Sequence, residues 1–174
     1  MVQNLDGYGG EGSRPWCLEG DGVVFDGALR DIRPTLEKVM QKLKTSVKKN
    51  NCNPEWNEER TLSIKDVTTP IRLSVYDKDT FSGDDKMGDA DIDLIPYVQS
   101  VRMGWTNLPN GTVVRIIQPD ETNCLAKESN CVWQNENIVQ EMVLKLRNVE
   151  SGEIVVQIEW VDVIGCKGLS HLDL

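Results

Sequence analysis

The sequence predicts an all-β domain built as an antiparallel β-sandwich, and two observations support that prediction. Short runs in which apolar and polar residues alternate recur along the chain, and clusters of turn residues separate these runs. Long helical patterns of the kind that connect parallel strands do not lie between them, which favours a sandwich over a βαβ fold. A chain of 174 residues with 39% hydrophobic content is long enough for one such core.

The predicted strands begin near residue 42, where Leu43, Thr45 and Val47 alternate with polar residues. One short helix is predicted at residues 96–103, and residues 118–137 are predicted to form a long polar loop. Trp56 and Trp160 are expected to pack in a turn or in the core. Further strands are predicted at residues 60–64, 71–76, 90–94, 113–117, 143–146 and 154–161.

The first 40 residues are interpreted as a leader that precedes the sandwich. Residues 1–33 are rich in glycine and aspartate and contain one apolar run, Val-Val-Phe, which predicts loop or weakly ordered chain. Residues 35–43 place apolar side chains at helical spacing, which indicates a short helix. The predicted organisation is a poorly ordered or helical leader at 1–40, a domain at 41–169 and a tail at 170–174.

Composition and charge exclude several classes of function. The net charge of −9 argues against nucleic-acid binding. The single histidine, His171, removes most histidine-based catalysis, and five cysteines without a C-x-x-C pair predict free thiols in a reducing compartment. No G-x-x-x-x-G-K-[ST] motif for binding nucleotide occurs. Without a signal-peptide pattern or an apolar run of about 18 residues, we expect a soluble intracellular protein that contacts membranes only peripherally.

The strongest chemical signal is the acidic segment YDKDTFSGDDKMG at residues 76–88, between two predicted strands. Residues 77–93 contain seven aspartates and two lysines, a local charge of −5 within a chain of −9. Two carboxylates about 6 Å apart repel by roughly 3 kcal/mol at an effective dielectric constant of about 20, so a folded loop of this kind favours a bound cation. Ca²⁺ suits the segment because it takes about six to eight oxygen ligands in flexible geometry.

The spacing of these aspartates does not fit an EF-hand. A loop that begins at Asp77 has Phe, Ser and Gly where an EF-hand needs an Asp or Asn, a Gly and a Glu. The pattern Asp77-x-Asp79-x5-Asp85 after a strand instead resembles the third calcium-binding loop of a C2 domain. Two alternatives remain: a solvated acidic turn without metal, and a hydrolytic pair formed by Asp84 and Asp85, which no base or nucleophile accompanies.

Over most of its length the chain resembles the plant C2-domain abscisic-acid-related family. The similarity rests on KTSVKKNNCNPEWNEERTLSIKD, on IRLSVYDKDTFSGDDKMGDADIDL, and on the stretch from MGWTNLPNGTVVRIIQP to IGCKGL. It covers residues 41–169, roughly three quarters of the chain. The resemblance implies a C2-type antiparallel sandwich with a family insertion around residues 100–140, where Trp105 and Trp133 are candidates for a partner surface.

The same resemblance implies a non-catalytic adaptor that binds anionic phospholipid membranes through Ca²⁺ and recruits abscisic-acid receptors to the plasma membrane. It implies calcium ligation by the side chains of Asp77, Asp79 and Asp85 and by the backbone carbonyl of Lys78. Phe81 is expected either to enter the headgroup region or to pack under the loop. The expected locations are the cytoplasmic face of the cell membrane, the cytoplasm and the nucleus. The alternative function is stimulation of a partner P-loop GTPase or ATPase, with a weakened calcium site.

The first part of the chain departs from the family pattern. Members have two further strands, with a first calcium loop between them, before the Gln-Lys-Leu-Lys-Thr segment. The aspartates of the leader do not match that pattern, so no ligand role is assigned to Asp6, Asp21, Asp26 or Asp31. The sequence therefore predicts a sandwich truncated at its N-terminus and about half of a calcium site, and fewer anionic ligands mean weaker calcium binding.

Four lysines without an intervening acid lie at the start of the predicted domain: Lys42, Lys44, Lys48 and Lys49. On a strand, the first three share one face. At about 1 kcal/mol for each lysine near an anionic leaflet, the four would contribute roughly 4 kcal/mol before screening by salt. We predict that this segment contacts lipid headgroups, and the alternative is a solvated edge that keeps the sheet from pairing with other chains.

Overall fold

The computed structural model describes residues 2–8, 21–27, 41–48, 54–64, 66–77, 85–162 and 169. Within these ranges the chain forms nine strands and one helix. The strands are β1 Val2–Tyr8, β2 Asp21–Gly27, β3 Gln41–Lys44, β4 Ile71–Asp77, β5 Asp85–Ile92, β6 Thr112–Ile117, β7 Ser129–Gln134, β8 Asn137–Lys145 and β9 Glu153–Glu159. The helix, α1, spans Ile95–Arg102 and lies between β5 and β6.

The strands form two antiparallel sheets. Five strands follow the order β1-β9-β8-β7-β6, and the other four follow the order β3-β2-β4-β5. The prediction of an antiparallel β-sandwich with a short helix is therefore confirmed. Helix α1, the one helix in the described ranges, is not long and apolar enough to cross a bilayer.

The core lies between the sheets because alternate residues of the inner strands face inward. Along β9, Ile154, Val156 and Ile158 are buried while the residues between them are partly exposed. From the other sheet, Leu73 and Val75 of β4 are also buried in the same cluster. Alternation of this kind specifies register, since a slip by one residue would turn the apolar side chains of a strand to solvent.

Helix α1 is anchored to the five-stranded sheet through Tyr97. Pro96 lies in the first turn of the helix, where its missing N–H costs no intrahelical bond. The Tyr97 hydroxyl donates to the carbonyl of Ile138 at 2.8 Å and accepts from the backbone N–H of Trp160 at 2.5 Å. Burial raises the pKa of Tyr97 far above its usual value, although the bond from Trp160 acts in the opposite direction. The hydroxyl therefore stays protonated and joins the helix to β8 and to the end of β9.

Residues 1–40 supply a strand to each sheet, so the prediction of a leader without strands is wrong. β1 pairs with β9 at one sheet edge, and β2 lies between β3 and β4 in the other sheet. The two strands that the sequence pattern left missing are therefore present. Their glycines and aspartates are typical of loops, but ladder hydrogen bonds to strands distant in sequence override that local preference. Residues 9–20 and 28–40, which include most of the predicted leader helix, lie outside the described residues.

β7 lies inside residues 118–137, which the sequence predicted to be a loop. Its inward residues Ser129, Cys131 and Trp133 are buried, so Trp133 belongs to the core and not to a partner surface. The alternation was hard to recognise because Ser129 is polar, yet its hydroxyl donates to the carbonyl of Glu141 at 2.8 Å.

The strand predicted at residues 60–64 is also wrong, since this stretch is irregular chain that buries Leu62.

The two sheets meet where β5 passes the connection between β8 and β9. Asp89 and Arg147 exchange two backbone hydrogen bonds. The N···O distance is 3.2 Å where Asp89 donates and 2.8 Å where Arg147 donates. At the preceding Gly88, an added Cβ would lie 3.1 Å from the Cβ of Leu146 and 3.2 Å from the carbonyl oxygen of Arg147. Glycine at position 88 therefore allows this close approach of two backbones.

Gly88→Ala is expected to lower the free energy of unfolding by about 1–3 kcal/mol, because the new methyl group would press against Leu146 and against backbone. Urea denaturation followed by tryptophan fluorescence measures the loss. Gly104→Asn is the control, since an added Cβ there has nothing within 4 Å and asparagine tolerates the positive φ of +65°. Equal losses in the two variants would contradict the explanation by close approach.

Candidate functional site

Three aspartates lie in one row across neighbouring strands of the four-stranded sheet. Asp77 ends β4, Asp85 begins β5, and the two are Cα partners in the β4–β5 ladder. Asp21 begins β2 and is the Cα partner of Asp77 on the other side. Since neighbouring strands are about 4.7–4.9 Å apart, the register places Asp21 and Asp85 on either side of Asp77, although Asp21 is far from both in sequence. The side chain of Asp77 is buried, whereas that of Asp85 is exposed.

Part of the predicted calcium site lies outside the described residues, namely Lys78 and Asp79, as does Phe81 at the predicted loop tip. Among the side chains that the structure does describe, no group of three or more histidine, cysteine, aspartate or glutamate residues is placed to hold a metal ion. The ladder does bring Asp77 and Asp85 together, as the predicted site requires, and their role as ligands stays a prediction. The position of Asp21 beside Asp77 was not predicted, because the Val-Val-Phe run that follows Asp21 was not recognised as a strand.

Further along β5, Asp89 is the centre of a polar cluster. Its carboxylate accepts hydrogen bonds from Lys86 Nζ at 2.8 Å, Asn148 Nδ2 at 2.7 Å and Arg147 Nη2 at 3.2 Å. Arg147 also donates to Asp91 at 2.6 Å. The cluster crosses from β5 to the connection between β8 and β9, and it therefore reinforces the backbone contact between the two sheets next to the acidic end.

The pKa of the Asp89 carboxyl is lowered from 3.8 to about 2, chiefly because Lys86 donates a hydrogen bond to it. Burial opposes this change, whereas Asn148 and the charges of Lys86 and Arg147 support it. The Asp89 side chain is only 7% exposed. Because the folded pKa lies below the unfolded one, the ionised carboxylate contributes stability on the order of 2 kcal/mol above about pH 4. That contribution is lost as the pH falls toward 2.

The lysines predicted to contact lipid lie on β3, an edge strand of the four-stranded sheet, and on the chain that follows it. Lys42 and Lys44 belong to β3, and the side chain of Lys44 is exposed. Lys48 is half-buried, and Lys49 lies outside the described residues. Among the described strands, β3 pairs with β2 alone, and contact of its lysines with headgroups stays a prediction.

The Asn-Pro-Glu-Trp-Asn-Glu turn and the arginine after it hold the chain that follows β3. Trp56 Nε1 donates to the carbonyl of Ser46 at 3.0 Å, and Arg60 Nε donates to the carbonyl of Lys44 at 3.1 Å. The Glu58 carboxylate accepts from the backbone N–H of Ser46 at 3.0 Å and also from its hydroxyl. The burial of Trp56 confirms its predicted packing role. Glu58 and Arg60 were missed, because each of them binds a backbone group of the chain after β3, and no residue pattern identifies such a partner.

The insertion exposes apolar side chains beyond α1 and along β6, the other edge strand of the five-stranded sheet. Met103 is 67% exposed, Trp105 36% and Ile116 53%. Residues 94–119 contain two arginines and no acidic residue, in contrast to the acidic chain as a whole. Trp105 is therefore exposed, as a residue of a partner surface would have to be, and it lies in a segment without acidic residues.

Two packed antiparallel sheets with aspartates at the ends of neighbouring strands are features of a C2 domain, and residues 32–108 match the family model of the C2 domain. The chain is 49% identical over 150 residues to "Protein C2-DOMAIN ABA-RELATED 10" of Arabidopsis thaliana, a match that covers 82% of this chain and 83% of that protein. It is 48% identical over 147 residues to "GTPase activating protein 1" of Oryza sativa subsp. indica, covering 82% and 88%. The chain belongs to the C2-domain ABA-related family, which confirms the resemblance seen in the sequence.

A solved structure of CC2D1B shares the fold. Its TM-score is 0.55 at 14% sequence identity, and the match covers 91% of this chain and 52% of that one. This chain therefore spans about half the length of that structure. At this level of identity the comparison supports the C2 sandwich alone.

Acidification is expected to destabilise the wild type more than Asp89→Asn, by on the order of 2 kcal/mol between about pH 4 and pH 2. The reason is that asparagine cannot ionise and so loses no charge as the pH falls. Urea unfolding at a series of pH values measures this difference. Lys86→Met removes the main hydrogen-bond donor to Asp89. The loss of stability on acidification should therefore occur at higher pH in this variant than in the wild type. Identical pH dependence in the wild type and in Asp89→Asn would contradict the assignment.

Proposed function

We propose that this protein is a calcium-dependent, phospholipid-binding adaptor that brings abscisic-acid receptors to the plasma membrane. The observation that carries the proposal is the row of Asp21, Asp77 and Asp85 at one end of a C2 sandwich. Membership of the C2-domain ABA-related family supports the link to abscisic-acid signalling. In this function the protein has no catalytic residue of its own.

The donor chemistry of the acidic end fits Ca²⁺, which takes carboxylate and backbone carbonyl oxygens as ligands. We propose the side chains of Asp77, Asp79 and Asp85 and the carbonyl of Lys78 as ligands. Asp21 then supplies an anionic ligand from the first part of the chain, where the sequence pattern alone identified no ligand. Bound calcium would neutralise the acidic loop and link it to anionic headgroups.

A basic edge complements the acidic loop on the same sheet. The whole chain carries −9 and is repelled by an anionic membrane, so neutralisation of the loop and attraction by the β3 segment act together. We propose that Lys42, Lys44, Lys48 and Lys49 contact headgroups and that Phe81 enters the interface. The bound protein then lies at the cytoplasmic face of the cell membrane, and the unbound pool is in the cytoplasm and nucleus. The exposed insertion with Met103 and Trp105 is the surface proposed for the receptor.

Wild-type protein is expected to sediment with phosphatidylserine-containing vesicles in calcium and to stay in the supernatant in chelator. Asp77→Asn combined with Asp79→Asn should abolish this calcium response, because it removes two anionic ligands. The matched control is Glu121→Gln with Glu136→Gln, which removes two charges from exposed turns elsewhere. Equal sedimentation of the wild type in calcium and in chelator would sink the calcium switch, and no sedimentation in either would sink lipid binding.

The same assay tests Asp21. Asp21→Asn should raise the calcium concentration for half-maximal sedimentation several-fold, because fewer anionic ligands weaken calcium binding. Asp26→Asn is the control, since Asp26 lies toward the other end of β2, opposite Lys42 and Arg72. Equal effects of the two changes would remove Asp21 from the proposed site.

A second candidate function is stimulation of a partner GTPase, and the 48% identity to a rice protein named "GTPase activating protein 1" favours it. The chain itself has no P-loop motif, so hydrolysis would take place on the partner. Single-turnover GTP hydrolysis by a candidate P-loop GTPase should accelerate when this chain is added. An unchanged rate at saturating protein would exclude this function for that partner.

A further inference from the structure

The chain after β3 is held by side chains of the turn at residues 54–60. The ladder between β2 and β3 ends at the pair Val24–Lys44. Beyond it, Glu58 accepts hydrogen bonds from the backbone N–H of Ser46, at 3.0 Å to Oε1 and 3.2 Å to Oε2, and from the Ser46 hydroxyl. Trp56 Nε1 donates to the Ser46 carbonyl at 3.0 Å. Both polar groups of the Ser46 backbone are therefore bound to this turn.

The charge of Glu58 is the opposite of what a surface for anions needs. Glu58 forms an ion pair with Arg60 and lies within electrostatic reach of Lys48. Burial acts to raise its pKa, but the hydrogen bonds from Ser46 and the nearby cations lower it overall, so the carboxylate is ionised at neutral pH. On charge alone, its removal should strengthen attraction to an anionic membrane by up to roughly fivefold.

We infer that Glu58 is a positioning residue for anion binding by the lysine segment. By binding the N–H and hydroxyl of Ser46, Glu58 holds the chain between Lys44 and Lys48 in one conformation before any membrane is present. The two lysines then meet anionic headgroups without the entropy loss of ordering this segment on binding. The inference rests on the proposed function, because it concerns the same lipid surface.

The test compares Glu58→Ala with Glu59→Ala, two changes that remove one acid each from the same turn. The Glu59 side chain is exposed and bonds to none of the described residues. Affinity for phosphatidylcholine vesicles that contain phosphatidylserine is measured at saturating calcium. We expect Glu59→Ala to bind slightly more tightly than the wild type and Glu58→Ala to bind roughly tenfold more weakly. Hydrogen exchange at the Ser46 amide should accelerate in Glu58→Ala only.

Glu58→Gln is the rescue variant, since its amide oxygen can still accept from Ser46 while the charge change is the same. It should bind nearly as well as Glu59→Ala, and weak binding like that of Glu58→Ala would overturn the assignment to the Ser46 bonds. If Glu58→Ala binds as tightly as Glu59→Ala, charge alone acts and the positioning role is wrong. If the wild type itself does not bind the vesicles, the proposed function is wrong as well. Binding by the wild type therefore distinguishes a failure of the positioning role alone from a failure of the proposed function.

Discussion

The contact between β5 and the connection from β8 to β9 supports the acidic end of the molecule. Gly88 lets the two backbones approach, Asp89 and Arg147 exchange backbone hydrogen bonds, and the Asp89 carboxylate binds three side-chain donors. These bonds join β5, the edge strand of one sheet, to the other sheet. Since β5 begins at Asp85, they also support the strand that carries one end of the aspartate row.

The acidic residues of β4 and β5 divide into two groups with different surroundings. Asp89 and Asp91 are bound to cations, because Lys86, Arg72 and Arg147 donate to them. Cations of this kind offset the desolvation of a buried carboxylate and make it part of the framework. The aspartates at the strand ends, Asp77 and Asp85, are instead Cα partners in the β4–β5 ladder. Like charges on neighbouring strands repel, and the divalent cation that we propose for this end would offset that repulsion.

Acidic and basic groups lie on one sheet, and this arrangement makes the net charge of −9 compatible with the role that we propose at an anionic membrane. The β3 edge carries the lysines, and the turn at residues 54–60 determines the path of the chain after it. An acidic residue, Glu58, is part of that turn although its charge weakens the basic surface. In the inference above, Glu58 contributes by ordering the chain after β3 and not by attracting anionic groups.

Alternation of apolar residues was sufficient to predict the sandwich, β4 and β9, because each of these strands buries a regular face of its own. It was not sufficient for β1, β2 and β7. β7 buries a serine whose hydroxyl is satisfied by Glu141, and β1 and β2 are rich in residues typical of loops. The acidic segment could be recognised from its composition alone. Asp21 and Glu58 could not be recognised in this way, because their relevant neighbours are distant in sequence or are backbone groups.

The sequence by itself determined the fold class, the family and the acidic and basic segments, since these depend on residue types and on their local spacing. Only the tertiary structure placed Asp21 beside Asp77, set Asp89 against Arg147 and bound Ser46 to Glu58. Strand register and backbone hydrogen bonds decide these contacts. They arise when strands far apart in the chain pair, and no local pattern of side chains encodes which strands will meet.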